Sequence, residues 1–167
     1  IPNADMLRKE ACDLIISPHA PETTDIMQRG LMADRMVVFY DPNQRNAPTD
    51  LAEYLKADHI ALMFATGERP GFENTLHAKG LDRRNVVTVS NFSGLPEFLR
   101  GTDMLATAPE RMSAQLMRDF AWVPLPFDYK PFTLLMLWHR RHQNDPAHRW
   151  VRNQVNSVAA TMNGLND

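Results

Sequence analysis

The feature that most constrains this chain is a regular alternation between short apolar runs and helical patterns. The apolar runs have the length of single strands and are rich in Val, Ile and Phe, as at Val37-Val38-Phe39 and over residues 59–64. Segments with helical spacing stand between them, for example over residues 70–79. Because strands that alternate with helices build βαβ units, this order predicts an α/β fold with mainly parallel strand pairing.

Turn and capping residues set the limits of the predicted elements. Asp50 and Glu53 form a capping-box pattern, Gly80 and Gly101 suit helix C-terminal caps, and Asp145-Pro146 is typical of a helix start. The predicted strands cover residues 13–17, 32–40, 59–64, 85–91, 103–107, 122–125 and 132–140. The predicted helices cover residues 4–11, 50–56, 70–79, 93–100, 109–118 and 145–162.

Two proline breaks divide the alternation into lobes. Asp41-Pro42 and Leu125-Pro126 flank a self-contained block of strands and helices at residues 43–126. Two strands would connect such a block to the rest of the chain. We therefore predict a first lobe formed by residues 1–42 and 127–167, and a second, inserted lobe formed by residues 43–126. Two lobes joined in this way form a hinged cleft, which is how many proteins close around a ligand.

Composition limits the classes of function. The chain is 44% hydrophobic and 23% charged, as globular proteins are, and no apolar run approaches the roughly 20 residues of a membrane span. We therefore expect a soluble protein with no membrane partner. The formal net charge of -2 offers no positive field for a phosphate backbone, so this segment alone is not expected to bind DNA. The one cysteine, Cys12, excludes an internal disulfide and fits a reducing cytoplasm.

Five stretches of the sequence, taken in order, resemble a known family. They are residues 13–16, the strand that ends at 41–42, and residues 101–109, 123–126 and 137–140. In these stretches the chain is similar to bacterial LysR-type transcription regulators. Trp138-His139-Arg140-Arg141-His142-Gln143-Asn144-Asp145-Pro146-Ala147-His148-Arg149-Trp150 is similar to the subgroup of nodulation regulators and regulators of aromatic catabolism. No stretch is specific alone, so the resemblance depends on their order and spacing.

The resemblance implies a periplasmic-binding-protein-like fold of type 2, with two Rossmann-like lobes joined by two crossover strands. A small effector, aromatic or carboxylate, would lie between the lobes and change how a distant helix-turn-helix domain engages promoter DNA. The family also implies a cytoplasmic homodimer or homotetramer, in which the helix at residues 70–79 corresponds to a region used for antiparallel dimers. Helix residues Phe72, Leu76 and Ala78 are the apolar ones considered for this contact.

Parts of a complete family member have no counterpart in this sequence. The DNA-binding domain, the linker helix and the first strand, helix and second strand of the first lobe are missing, so we expect the first lobe to be incomplete. The start, Ile1-Pro2-Asn3-Ala4-Asp5, lacks an initiator Met and a secretory pattern, as expected for a segment of a longer protein.

Candidate effector-binding residues follow from the rule that ligands gather beyond the carboxyl ends of strands in α/β sheets. The candidates are Ser17, His19, Thr66, Gly67, Phe72, Asn91 and Phe92. Thr66 and the Gly67 amide could hold a carboxylate or phenol oxygen, and the two phenylalanines could flank an aromatic ring. Asn91 could donate or accept a hydrogen bond. The competing interpretation places both phenylalanines in the core and assigns Thr66 to a helix cap.

An enzymatic function has weaker support. The sequence contains no Gly-x-Ser-x-Gly elbow, glycine-rich phosphate loop or dinucleotide fingerprint, so we expect no catalytic residue and no cofactor. Pairing of Ser17 or Cys12 with His19 leaves a small hydrolase as one alternative. The other alternative is a solute-binding protein of the same fold that feeds a transporter, and such a protein would carry an upstream secretory signal.

The segment at residues 138–150 also contains three histidines, His139, His142 and His148. Their spacing does not match a zinc motif, and no cysteine lies near, so we expect structural roles and no metal. We further expect both tryptophans of this segment, residues 138 and 150, to pack in the interior. Its three arginines at residues 140, 141 and 149 are expected to be solvated or paired with Asp145.

Overall fold

The structure, a computed structural model, describes residues 4–63 and 71–164. In chain order the elements are α1 (Ala4–Arg8), β1 (Ile15–Ser17), β2 (Ile26–Asp34), β3 (Met36–Tyr40), α2 (Leu51–Lys56), β4 (Asp58–Leu62), α3 (Gly71–Ala78), β5 (Arg84–Val89), α4 (Leu95–Leu99), β6 (Leu105–Pro109), β7 (Ala121–Pro124), β8 (Phe132–His139) and α5 (Pro146–Gly164). Three short 3-10 helices occur at Phe92–Gly94, Glu110–Ala114 and Arg140–His142. No helix among the described residues has the length and apolar character that crossing a membrane requires.

The chain divides into two compact units. Among the described residues, the central unit lies within Arg35–Lys130, and the terminal unit comprises residues 4–34 and 131–164. The sequence placed the lobe limits at 42/43 and 126/127 instead. The difference arises because β3, which precedes Asp41, pairs with β6 and β7 inside the central sheet.

The terminal unit is built on a three-stranded antiparallel sheet in the order β1-β8-β2. Leu137 of β8 lies opposite Ile15 of β1 and belongs with Leu7 and Ile26 to one apolar cluster. Side chains alternate between the two faces of a strand, so Met136 and Trp138 belong to the other face of β8. Helix α5 contacts β2 and contributes residues to this second side of the sheet.

The central unit contains a five-stranded mixed sheet in the order β5-β4-β6-β3-β7. Strand β4 runs parallel to β5 and β6, whereas β3 runs antiparallel to β6 and β7. Val37 and Phe39 pack in one core cluster and Val38 in another, because successive residues of β3 point to opposite faces. Strand β3 is therefore buried on both faces, as is typical of a continuous apolar run such as residues 37–39.

Two sequence predictions about strands are wrong. Residues 32–40 are not one strand: β2 ends at Asp34 in the terminal sheet, and β3 begins at Met36 in the central sheet. The first half of β2 was missed because Gln28, Arg29 and Gly30 are polar or small and exposed. Pairing is also not mainly parallel. Among the described strand pairs, β4–β5 and β4–β6 are parallel, whereas the other four pairs are antiparallel.

Helix ends follow the sequence closely. The Asp50 side chain accepts a hydrogen bond from the Glu53 amide at 2.9 Å, as a capping box requires, although the Glu53 carboxylate accepts from the Thr49 amide rather than from that of Asp50. Gly80 and Gly101 have φ angles of 65° and 74°, the left-handed conformation that glycine adopts without steric cost. The predicted helix at residues 109–118 is shorter, a 3-10 helix that ends at Ala114.

Candidate functional site

The predicted binding residues that follow β5 are accessible to different degrees. Asn91 is exposed, its carbonyl accepts from the Gly94 amide at 3.3 Å, and its Nδ2 atom donates to Ser90 Oγ at 3.4 Å. Phe92 is half-buried and packs against the larger core cluster of the central unit. Asn91 thus presents an amide to solvent at the end of β5, while Phe92 contributes mainly to packing. Thr66 and Gly67 lie outside the described residues.

Phe72 is a core residue, in agreement with the competing interpretation of the sequence. Its side chain is only 5% exposed, and its ring stacks with Phe127 at 6.3 Å and meets Tyr129 edge-on at 5.2 Å. Both partners are half-buried, and burial raises the pKa of the Tyr129 phenol. Leu76 on the same helix is 2% exposed. Phe72 and Leu76 therefore face the interior of the central unit and are not free for a subunit contact.

A buried polar cluster lies beside Phe72 and was not predicted. The Arg83 side chain is 3% exposed, and its Nη1 atom donates to Tyr54 Oη at 2.9 Å, to Thr107 Oγ1 at 3.1 Å and to His59 Nδ1 at 3.2 Å. Its Nη2 atom pairs with the Glu73 carboxylate. Among the described residues, Arg83 Nε has no hydrogen-bond partner. Because the cluster is closed to solvent, we assign it to positioning α2, α3, β4 and β6 rather than to ligand binding.

The hydrogen bonds of His59 determine its tautomer. The imidazole is fully buried, and Nε2 lies 2.6 Å from the Tyr54 carbonyl oxygen, which can only accept. The guanidinium of Arg83 can only donate, so Nδ1 is the acceptor. Burial first, and then the charge of Arg83, lower the pKa of His59 to about 3. His59 is therefore neutral at physiological pH, and its Nε2–H donates to the backbone.

The two predicted residues of the terminal unit do not form a nucleophile–base pair. Ser17 is 5% exposed, and its Oγ atom accepts a hydrogen bond from the backbone amide of His19 at 3.1 Å. The His19 side chain is exposed. Cys12 is half-buried against the cluster that contains Leu7. In the part of the chain that the structure describes, no imidazole is hydrogen-bonded to Ser17 Oγ or Cys12 Sγ.

The histidines of the segment at residues 138–150 serve packing and hydrogen bonding. The rings of His142 and His148 stack with centroids 5.1 Å apart. His148 Nδ1 accepts from Arg152 Nη1 at 2.7 Å, which leaves Nε2 to donate to the Asp13 carbonyl oxygen at 2.9 Å. Residues 4–63 and 71–164 contain no group of three His, Cys, Asp or Glu side chains placed to hold a metal ion.

The prediction for one tryptophan of this segment is wrong. Trp138 is buried, but Trp150 is 64% exposed because it lies on the outer face of α5. Arg141 is exposed, which agrees with the expectation that the arginines of this segment are solvated or paired with Asp145, and its ion pair is with Glu10 at 2.6 Å. The Asp145 carboxylate instead accepts from the His148 amide at 2.8 Å and caps α5, and this hydrogen bond holds the pKa of Asp145 below its ordinary value.

Comparison with known proteins identifies the family. Residues 3–160 match the model of the LysR substrate binding domain. Nodulation protein D 2 of Sinorhizobium fredii is 30% identical over 168 residues, which cover 98% of this chain and 54% of that protein. Nodulation protein D 3 of Rhizobium leguminosarum bv. phaseoli is 31% identical over 166 residues, which cover 95% of this chain and 54% of that protein. The chain thus spans about half the length of these curated relatives.

A solved structure supports the same fold. The regulatory domain of MexT, a transcriptional activator in Pseudomonas aeruginosa, superposes with a TM-score of 0.74 at 24% sequence identity. The superposition covers 92% of this chain and 76% of the MexT domain. The predicted α/β fold of the periplasmic-binding-protein-like type 2 is thereby confirmed. Since the family model matches nearly the whole length, the chain belongs to the family of LysR substrate binding domains.

Proposed function

We propose that this chain is the effector-sensing part of a LysR-type transcription regulator and that it binds a small aromatic or carboxylate effector. The match of residues 3–160 to the LysR substrate binding domain carries this proposal. Contact with promoter DNA would come from another part of the protein, since the net charge of -2 offers no extended positive surface for the phosphate backbone of DNA. Assembly as a homodimer or homotetramer and a cytoplasmic location belong to the same proposal.

We place the effector at the edge of the central sheet where β4 and β5 end. These strands pair in parallel, with Leu62 opposite Val89, so the segments that follow them leave the sheet at the same edge. Asn91 follows β5 and presents an amide that can both donate and accept. In the sequence, Thr66 and Gly67 follow β4 in the same way. Ser17 and His19 belong to the terminal unit, and the cleft that would bring them to the effector stays a prediction.

The proposed role is binding without catalysis. A serine or cysteine nucleophile needs a base within hydrogen-bond reach, and the described contacts of Ser17 and Cys12 do not include one. Turnover of generic esters that is abolished by Ser17→Ala would contradict this part of the proposal. The rival assignment as a solute-binding protein differs in what precedes Ile1 in the gene, where a secretory signal would support transport and a helix-turn-helix would support regulation.

A thermal-shift screen of aromatic acids and phenols tests the site. A compound that binds the folded state raises the melting temperature of the wild-type chain. Asn91→Ala is expected to reduce affinity by about tenfold or more, because a hydrogen bond to a charged group contributes about 1.5–3 kcal/mol. Asn85→Ala is the matched control, since Asn85 is also exposed but lies near the start of β5.

The two variants separate the possible results. A compound that shifts the wild type and Asn85→Ala, with a much smaller shift for Asn91→Ala, supports both the effector class and its position. Equal shifts in all three proteins would contradict the position at the end of β5. If no aromatic acid or phenol shifts the wild type, the proposed effector sensing by this chain is wrong.

A further inference from the structure

The terminal unit contains a cavity that collects positive charge. Its volume is about 200 Å³, and it is lined by side chains of β2, β8 and α5. Three arginines contribute to the lining, Arg29, Arg149 and Arg152, and no carboxylate does. Trp138 and Met136 form its apolar base on one face of β8. This combination of cations and an apolar base differs from an ordinary solvated surface, where charges of both signs mix.

Arg152 is the buried member of the group. The residue is 6% exposed, and its guanidinium lies over the Trp138 ring at 4.8 Å. Its Nη atoms donate to the carbonyl oxygens of His142 at 3.0 Å and Gln143 at 2.9 Å, and to His148 Nδ1. None of these acceptors carries a negative charge. The guanidinium is therefore held in a fixed orientation while its charge is not neutralised.

The other two arginines add charge at the rim. Arg29 and Arg149 are exposed, and among the described residues neither side chain has a hydrogen bond or an ion pair. Burial first, and then the charge of Arg149, lower the pKa of Arg152. The charge of the Asp145 carboxylate opposes this effect. This carboxylate accepts from the His148 amide at the start of α5, however, and among the described residues it forms no ion pair with Arg152. The charges of Arg149 and Arg152 thus repel one another, and an anion between them would offset that repulsion.

We propose that this cavity binds a small oxyanion, a carboxylate or a phosphate, at a site of the terminal unit that is independent of the effector site near Asn91. Guanidinium groups present forked donors that match the oxygen atoms of carboxylate and phosphate. The volume of about 200 Å³ equals that of roughly seven water molecules at about 30 Å³ each, which is enough for an anion such as phosphate or a small carboxylate. The pre-oriented guanidinium of Arg152 would lose little conformational entropy on binding.

Isothermal titration of the chain with inorganic phosphate, and separately with malonate, tests the site at constant ionic strength set with potassium chloride. We expect saturable binding of at least one of the two anions, and the comparison tells which oxyanion is preferred. Arg29→Gln and Arg149→Gln are expected to weaken binding by about tenfold or more, because each removes a charged donor. Both residues are exposed, so the variants are expected to fold, which circular dichroism checks.

Arg140→Gln is the matched control, because it removes one exposed positive charge from the same unit without touching the cavity lining. Its affinity should equal that of the wild type, and Arg29→Lys should keep part of the affinity that Arg29→Gln loses. Asn91→Ala should bind the oxyanion normally, which separates this site from the effector site. The proposal is overturned if neither anion shows saturable binding, or if Arg140→Gln weakens binding as much as Arg29→Gln.

Discussion

Lowering the pH from 7 to 5 is expected to weaken the central unit through His59. The buried imidazole uses Nδ1 to accept from Arg83 and Nε2–H to donate to the Tyr54 carbonyl. A proton on Nδ1 would remove that acceptor and place a second positive charge against the guanidinium. The folded state therefore resists protonation of His59, whereas the unfolded chain does not.

The magnitude follows from the two pKa values. The pKa of His59 is about 3 in the folded state and 6.5 when the side chain is unperturbed. Between these values the unfolded state binds a proton that the folded state does not, so stability falls as the pH falls below about 6.5. At pH 5 the solution is about 1.5 units below the unperturbed value, and at 1.36 kcal/mol per unit the loss is about 2 kcal/mol. This figure changes little for any folded-state pKa well below 5.

Urea unfolding at pH 7 and pH 5, followed by circular dichroism, measures the effect. His59→Gln removes the titrating group, so its free energy of unfolding should change between the two pH values by about 2 kcal/mol less than that of the wild type. Any general loss of stability in the variant cancels in this difference. His77→Gln is the control, since this histidine of α3 is exposed, and it should behave as the wild type does. Identical pH dependence in the wild type and His59→Gln would refute the reasoning.

Two further predictions concern single contacts in the central unit. Tyr54→Phe should lower the free energy of unfolding by about 1–2 kcal/mol, because it removes the hydroxyl that bonds to Thr107 and Arg83; unchanged urea stability would show that this cluster does not stabilise the fold. Gly101→Ala should cost about 1 kcal/mol, because an L side chain at a φ of 74° is strained. Gly30→Ala has ordinary φ and only a 3.5 Å contact with Thr133, so an equal loss in both variants would contradict the backbone argument.

Local features of the fold could be predicted from the sequence because their causes are local. The cap at Asp50, the left-handed glycines at residues 80 and 101 and the start of α5 at Asp145 each depend on a few neighbouring residues. The apolar run at residues 37–39 likewise predicts a strand buried on both faces. An apolar run does not identify the strand that pairs with it. The prediction of mainly parallel pairing was therefore wrong.

The change of sheet near Arg35 shows the same limit. Residues 32–40 have strand propensity throughout, and the break between β2 and β3 depends on distant partners. Leu134 and Thr133 of β8 pair with Met32 and Ala33, while Ala108 and Thr107 of β6 pair with Val37 and Val38. Because the β8 partners lie about a hundred residues further along the chain and the β6 partners about seventy, no local pattern reveals where one sheet ends and the next begins.

The candidate site was predictable in part. Asn91 follows the carboxyl end of β5, where ligands gather in α/β sheets, and its side chain is exposed in the structure. Phe72 satisfies the same rule in sequence, but tertiary packing buries it against Phe127 and Tyr129. The sequence allows both outcomes for Phe72, because apolar spacing on a helix is the same for a core residue and for a ligand contact.

The sequence by itself determined the fold class, the family and the helix ends, since these depend on local patterns and on motif order. Only the tertiary structure decided which polar groups meet. Arg83 joins Tyr54, His59 and Thr107, and Arg29 shares a cavity with Arg149 and Arg152. A charged residue in a sequence is expected at the surface. Its burial, its partners and its uncompensated charge arise only when strands and helices that are distant in the chain pack together.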